Sequence, residues 1–289
     1  MRPRRPAEHL SWLWQAPGQR RISAALVLVN FVVFGIQWLR GGSTAVALDM
    51  GAMQGVHVHA GEYWRLMSAC FLHGGLLHVV FNMFALYGFL GLVEEYAGSQ
   101  IALCTYLLTG AAGFAMTGYF EPVTISLGAS GAVYGAIGVT LCIYAKRYGG
   151  LAALFTHPAC VSLIAQLLFW TWLNYTMNAR GDGRVDMYAH AGGFVLGLVI
   201  GWALTDDGPA SSRIAPVVAA AAAMLYVGFF PPRAPDEREI ESALHFGVTY
   251  ARGGAGLRAS PARSRRMLNY ACKHGQKDAC EILAEPGLL

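Results

Sequence analysis

The chain has 289 residues, of which 55% are hydrophobic and only 13% charged, with 35 glycines and a formal net charge of +4. A soluble domain carries about a quarter charged residues, so an ordinary soluble domain is excluded, and so mild a positive balance gives no reason to expect a nucleic-acid partner. The mean hydropathy of +0.42 points instead to an all-α polytopic membrane protein.

Residues 1–21 form a basic head with Arg2, Arg4, Arg5, Arg20 and Arg21. A bilayer core takes roughly 20 apolar residues per helix, and seven runs approach that length: 22–39, 72–93, 100–119, 128–145, 151–175, 188–204 and 214–230. The first run follows the basic head as a signal peptide's apolar region would. It reads as an uncleaved span, because no Ala-x-Ala site closes it and Arg40-Gly41-Gly42 follows. The stretch 41–71 is too long for a plain connector. It contains His57 and His59, expected to be solvated loop histidines and at most a weak metal site. After the seventh run, residues 232–289 read as a small helical tail: a helix from Asp236 to Tyr250, a glycine break, then a helical hairpin over 261–284.

Orientation follows from loop charge. With the head in the cytoplasm, that side collects Lys146, Arg147 and Arg213 besides the head, whereas the opposite short loops hold Arg40, Arg65, Arg180 and Arg184. The positive-inside rule therefore favours a cytoplasmic N-terminus. Seven crossings then put the tail outside, and its nine basic residues pull mildly the other way. Cys272 and Cys280 both lie in this polar tail, and an oxidising compartment would allow them to pair. The remaining cysteines read as buried apolar thiols.

Span parity sends the second, fourth and sixth runs inward from the outer surface. Each carries polar groups near its start: His78 and Asn82, Ser130, and His190. At 1.5 Å per residue, His78, Ser130 and His190 lie within about 10 Å of the outer ends. Such groups inside a span are functional candidates by default. His78 and Asn82 share a helix face, as do Ser130 and Tyr134. Gly131 and Gly135 on the fourth run, and Gly193, Gly197 and Gly201 on the sixth, allow close backbone approach or serve as ordinary helix packing. Close approach would let His190 take the proton of Ser130. No carboxylate occupies a third matching position, so a dyad is expected rather than a triad. The Ser130 N–H, His78 and Asn82 would face the resulting oxyanion, and Tyr134 would hold the His190 ring.

These residues carry a family resemblance. Gly128-Ala129-Ser130-Gly131 with Tyr134 resembles the nucleophile motif of rhomboid intramembrane serine proteases. His73 to Met83, with His78 and Asn82, is similar to their HxxxN helix, and Ala189-His190-Ala-Gly-Gly193 with Gly197 to their AHxxGxxxG helix. Tyr63-Trp64-Arg65 and the segment from Gly91 through Glu94 to Ser99 add support. The resemblance covers about residues 20–205 and is closest in kind to bacterial members with six core helices plus a seventh. It implies a six-helix catalytic core over 22–205, an extra transmembrane helix within 206–231, and peptide-bond hydrolysis by Ser130 and His190 without metal or cofactor. It also implies oxyanion stabilisation by His78, Asn82 and Ser130, with supporting roles for Gly128, Tyr134, His73, Trp64, Arg65 and Gly193. Substrates would be transmembrane proteins with small, helix-destabilising residues at the cut, met in the lipid bilayer of a bacterial inner membrane. The first loop would be a partly embedded lobe that Trp64 and Arg65 anchor at the interface. Phe169, Trp170 and Trp172 resemble the family's lateral gate, or form an ordinary aromatic belt.

Several residues have plainer readings. His73 lies above His78 and reads as structural more than catalytic; His157 and Glu94 read as structural at the cytoplasmic side. A metalloprotease would need a His-Glu-x-x-His element, which the chain lacks. A transporter would more often show internal repeats and intramembrane carboxylates. An inactive relative that binds membrane clients would typically lack the serine or the histidine. The tail segment from Ala271 to Cys280 resembles a single Sel1-like repeat, and client binding, dimer contact and passive decoration are all open to it.

Overall fold

The computed structural model describes residues 20–180, 185–208 and 210–285. The head before Arg20, and Arg184, lie outside the described residues, as do the side chains of Arg180 and Arg213. The chain is all-α, and no strand occurs among the described residues. Seven long helices stand where the seven apolar runs lie: α1 (Arg21–Leu39), α5 (Leu76–Ala97), α6 (Ser99–Phe120), α7 (Ser130–Tyr148), α9 (Pro158–Arg180), α10 (Met187–Thr205) and α11 (Ala210–Phe229). Between α1 and α5 lies a lobe of short helices, α2 (Thr44–Met50), α3 (Gly55–His59) and α4 (Arg65–Ser68), closed by a 3₁₀ turn at Ala69–Phe71. A single turn, α8 (Ala153–Thr156), precedes α9.

Four helices, α1, α5, α6 and α10, are long and apolar enough to cross a membrane, and α9 and α11 contribute the shorter apolar stretches Pro158–Trp172 and Ile214–Phe229. α7 is less apolar because it barely meets the outside. It is buried without a break from Gly131 to Leu141, wrapped by α5, α6 and α10. Its surroundings are protein, so Thr140 can sit there with its hydroxyl donating to the Ala136 carbonyl at 2.8 Å. The outer helices instead expose large apolar side chains, among them Phe31, Val32, Phe81, Phe84 and Val195, as lipid contact requires. The protein is an integral membrane protein.

Glu94 binds the start of α1. Its carboxylate accepts from the N–H groups of Ile22 and Ser23, both at 2.8 Å, and from the hydroxyls of Ser23 and Ser99. These N–H groups belong to the first turn of α1 and have no intrahelical acceptor.

The tail consists of α12 (Glu237–Arg252), α13 (Pro261–Lys273) and α14 (Lys277–Ala284). Asp236 caps α12 by accepting from the Glu239 N–H, Gly253 ends it at φ 73°, and a disulfide joins Cys272 to Cys280 across α13 and α14. Each tail helix has one apolar face; α14 packs on α13 and α12, and the tail's apolar residues join those of the lobe in one cluster. Ala243, Tyr250, Met267 and Leu268 share one buried cluster with Ala47, Leu48, Val56 and Leu72.

The expectation of solvated lobe histidines is corrected here. His57 is fully buried, with Nε2 hydrogen-bonded to the Tyr250 hydroxyl at 3.1 Å. His59 Nδ1 donates to Glu239 at 2.6 Å, and the same carboxylate accepts from Tyr270 and from Arg233. Burial, reinforced by the Arg65 and Arg263 charges, pushes His57 well below its usual value of 6.5, so it is neutral. Burial would raise Glu239, but hydrogen bonds from His59 and Tyr270 and the Arg233 charge hold it below the usual carboxylate range.

Arg65 is placed inside the lobe rather than at an interface with lipid. It is fully buried, pairs with Glu62 at 2.6 Å and donates to the carbonyls of Leu48 and Ala52, both at 2.8 Å. Trp64 is half-exposed, with the guanidinium groups of Arg65 and Arg263 over its ring at 5.0 and 6.0 Å.

Candidate active site

Ser130 is the first residue of α7, and the approach to it is pinned on both sides. Ser126 pairs with Met53 of the lobe through two backbone hydrogen bonds of 2.8 and 2.9 Å, and the Gly128 N–H donates to the Ala69 carbonyl at 2.9 Å. Gly128 has φ 132°, and a Cβ there would come within 3.0 Å of the His78 ring. Glycine is therefore required twice, for the backbone conformation and for the space. At the first turn of α7 the Ser130 N–H has no intrahelical acceptor and stands free for a ligand.

His190 lies one turn into α10, and its Nε2 is 2.8 Å from Ser130 Oγ. The glycines make that distance attainable. A Cβ on Gly193 would run into the Gly131 carbonyl, one on Gly197 into that of Gly135, and one on Gly138 would come within 2.7 Å of the Phe194 carbonyl. α7 and α10 thus touch backbone to backbone over most of their length. The Tyr134 ring stacks on the His190 imidazole, with centroids 4.2 Å apart and planes 10° from parallel. The Tyr134 hydroxyl lies 3.4 Å from that of Thr171 on α9. His190 Nδ1 is buried, and no hydrogen-bond partner reaches it among the described residues.

α5 contributes the second wall. The Gly74 N–H donates to His78 Nδ1 at 3.2 Å, which places the ring proton on Nε2, the atom facing Gly128. Asn82 donates one amide hydrogen to the His78 carbonyl at 2.9 Å, leaving the other free. His73 is fully buried with its ring edge-on to His78, centroids 5.1 Å apart, and its backbone N–H and carbonyl are both bound by the Gln37 side chain. It packs behind His78 as a support.

Of the residues singled out from the sequence, Ser130, His190, His78, Asn82, Tyr134, Gly128, Gly193 and His73 come together here. Trp64 and Arg65 do not; they belong to the lobe. The sequence reading missed Asp186, the N-cap of α10, whose carboxylate accepts from the Ala189 N–H. An aspartate three residues before the last residue preceding the histidine is a helix-start signal, and it was there to be read.

A family model described as "Rhomboid domain" matches residues 60–207, half of the chain. "RHOMBOID-like protein 2" of Arabidopsis thaliana is 35% identical over 177 residues, covering 57% of this chain and 50% of its own. "RHOMBOID-like protein 1" of the same plant is 34% identical over 174 residues, covering 57% and 40%. "Rhomboid protease GluP" of Bacillus subtilis (strain 168) is 26% identical over 233 residues, covering 78% and 44%. The chain spans about half the length, or somewhat less, of these curated relatives. The match includes α5, α6, α7 and α10, the helices that carry and enclose the serine–histidine contact, and the chain belongs to the rhomboid family.

Proposed function

We propose that this chain is an intramembrane serine endopeptidase with Ser130 and His190 as its catalytic dyad. The observation that carries the reading is the 2.8 Å contact between His190 Nε2 and Ser130 Oγ, with the imidazole stacked on Tyr134. Ser130 Oγ attacks the substrate carbonyl as His190 Nε2 takes its proton. The Ser130 N–H, His78 Nε2–H and the free amide hydrogen of Asn82 converge on the oxyanion, where fixed donors away from bulk water are worth most. His190 then gives the proton to the departing amine, and water drawn from the outer surface resolves the acyl-enzyme by the reverse proton route.

The substrate is a transmembrane segment with small, helix-destabilising residues around the cut. It enters beside α9, where Phe169, Trp170 and Trp172 are exposed and, among the described residues, only the Phe81–Trp170 pair, with ring centroids 6.3 Å apart, joins aromatic rings of α5 and α9. The N-terminus is cytoplasmic and the site lies near the extracytoplasmic face of a bacterial inner membrane. The Cys272–Cys280 disulfide supports an oxidising side for the tail. Because the tail packs on the lobe next to the site, site and tail share that side.

The test is cleavage of a small-residue transmembrane substrate by purified protein in liposomes. Ser130→Ala and His190→Ala should fold yet lose about 10⁴-fold or more in kcat, and Ser130→Ala should no longer label with a fluorophosphonate. Cleavage retained by Ser130→Ala would end this reading.

A further inference from the structure

The proposed reaction makes no use of Asp186, yet three elements share its carboxylate. Oδ1 accepts from the Ala189 N–H of α10 at 2.9 Å. Oδ2 accepts from the Thr117 hydroxyl of α6 at 2.6 Å and from the Ser126 hydroxyl at 2.5 Å. A helix cap needs only the first of these bonds. The second oxygen is turned into the protein, where Thr117 is fully buried and Ser126 nearly so. Three neutral donors from three segments satisfy the carboxylate of this half-buried residue, which offsets its partial loss of water.

Each partner leads to the dyad. Asp186 precedes His190 by one helical turn, and its carbonyl accepts the His190 N–H at 3.2 Å. Ser126 precedes Ser130 by four residues and is itself held by Met53 of the lobe. Thr117 lies on α6 one turn from Gly113, against which the Ala189 backbone packs so closely that a Cβ there would strike the Ala189 carbonyl. The start of the helix bearing the base is therefore tied to the segment leading to the nucleophile through one side chain. The glycine contacts at Gly113, Gly131 and Gly193 bring the first turns of α10 close to α6 and α7, but these are contacts of bulk; the directional bonds to α6 and to the segment before Ser130 come from Asp186.

We propose that Asp186 is a positioning residue, setting the separation of His190 Nε2 and Ser130 Oγ by binding the first turn of α10 to Thr117 and Ser126. The inference rests on the dyad reading above. It acts on a contact with little tolerance, since a misplacement of 1 Å can cost about 10²-fold in rate. It also predicts where the cost falls: Asp186 touches no substrate, so the loss belongs to kcat and to the intrinsic reactivity of Ser130, not to KM.

The experiment compares Asp186→Ala, Asp186→Asn and the double variant Ser126→Ala/Thr117→Val, each as full-length protein in liposomes. Four quantities are read: kcat, KM, the fluorophosphonate labelling rate of Ser130, and thermal unfolding. Asp186→Ala should lower kcat and labelling together by about 10- to 100-fold with KM within about twofold. Asp186→Asn, which still caps the helix and can bond both hydroxyls, should recover most of the loss. The double variant keeps the cap and removes only the inward ties; its kcat should fall about fivefold at unchanged KM, and it decides the matter if Asp186→Ala does not fold. Wild-type kcat and labelling in folded Asp186→Ala or in the double variant would overturn the proposal and reduce Asp186 to a helix cap. A rise in KM alone would overturn it too. If wild-type protein neither labels at Ser130 nor cleaves, the dyad reading falls and this inference with it; wild-type labelling matched by Asp186→Ala defeats the inference alone.

Discussion

His78 has its two ring nitrogens assigned by one backbone bond. The Gly74 N–H occupies Nδ1, so the proton on Nε2 points toward the face where a substrate carbonyl would turn into an oxyanion. Asn82, a turn further down, likewise keeps one amide hydrogen in reserve. His78→Ala and Asn82→Ala should each lower kcat by up to about 10²–10³-fold with KM little changed, as for other oxyanion-hole donors; steady-state kinetics in liposomes checks this, and an effect on KM alone would assign them to packing. Single residues differed greatly in how legible they were. Ser130, His190, His78 and Asn82 stood out because polar groups near the starts of apolar runs are conspicuous. Asp186 carried a local helix-start pattern, but its two inward bonds, to residues 69 and 60 positions earlier, leave no trace in local spacing. His57 and Arg65 were misplaced for the same reason. Their burial depends on chain that comes much later or on carbonyls of the lobe's own turns, and a loop sequence does not announce a lid.

At the level of elements, the seam between α7 and α10 follows directly from the order of glycines. The sequence left open whether Gly131, Gly135, Gly193 and Gly197 were general packing or a device for close approach; the backbone contacts decide for close approach. Gly197→Ala would push a methyl group into the Gly135 carbonyl, with backbone on both sides and no flexible side chain to yield. The expected result is a destabilisation of about 1–3 kcal/mol, read by thermal unfolding, with a drop in Ser130 labelling larger than the loss of folded protein accounts for. Helix existence was legible because each run is long and apolar. What the sequence overstated was uniformity: α7 was counted as a span like the others, whereas it is enclosed by protein and can carry more polar character. Its lower apolarity is a sign of its central position.

For the whole molecule, the tail and the lobe form one buried cluster beside the site. His57 and Glu239 are among the titratable groups that give that junction a pH dependence. His57 is held neutral by burial, so protons bind preferentially to the unfolded or undocked chain as pH falls below about 6.5, and stability is lost in that direction. Glu239 has a lowered folded-state value, so its contribution is present above about 4.5 and disappears as pH falls through that lowered value. The junction should therefore loosen in two stages on acidification, seen as rising hydrogen exchange in α12 and α13. His57→Gln should weaken the first stage and leave the second. Deleting residues 232–289 should leave the helices of the core in place but lower the unfolding midpoint, by exposing Ala47, Leu48 and Val56.

The packing of tail on lobe also sets an order of events during synthesis. The lobe emerges after α1, and its cover emerges only after α11. Between those moments every other transmembrane helix must be inserted while His57 and the apolar side of α2 and α3 stand open to water. Closure of the Cys272–Cys280 bridge then marks the chains whose tail has formed, and a pulse-chase on non-reducing gels would read that mark as a clock for docking of the tail on the lobe.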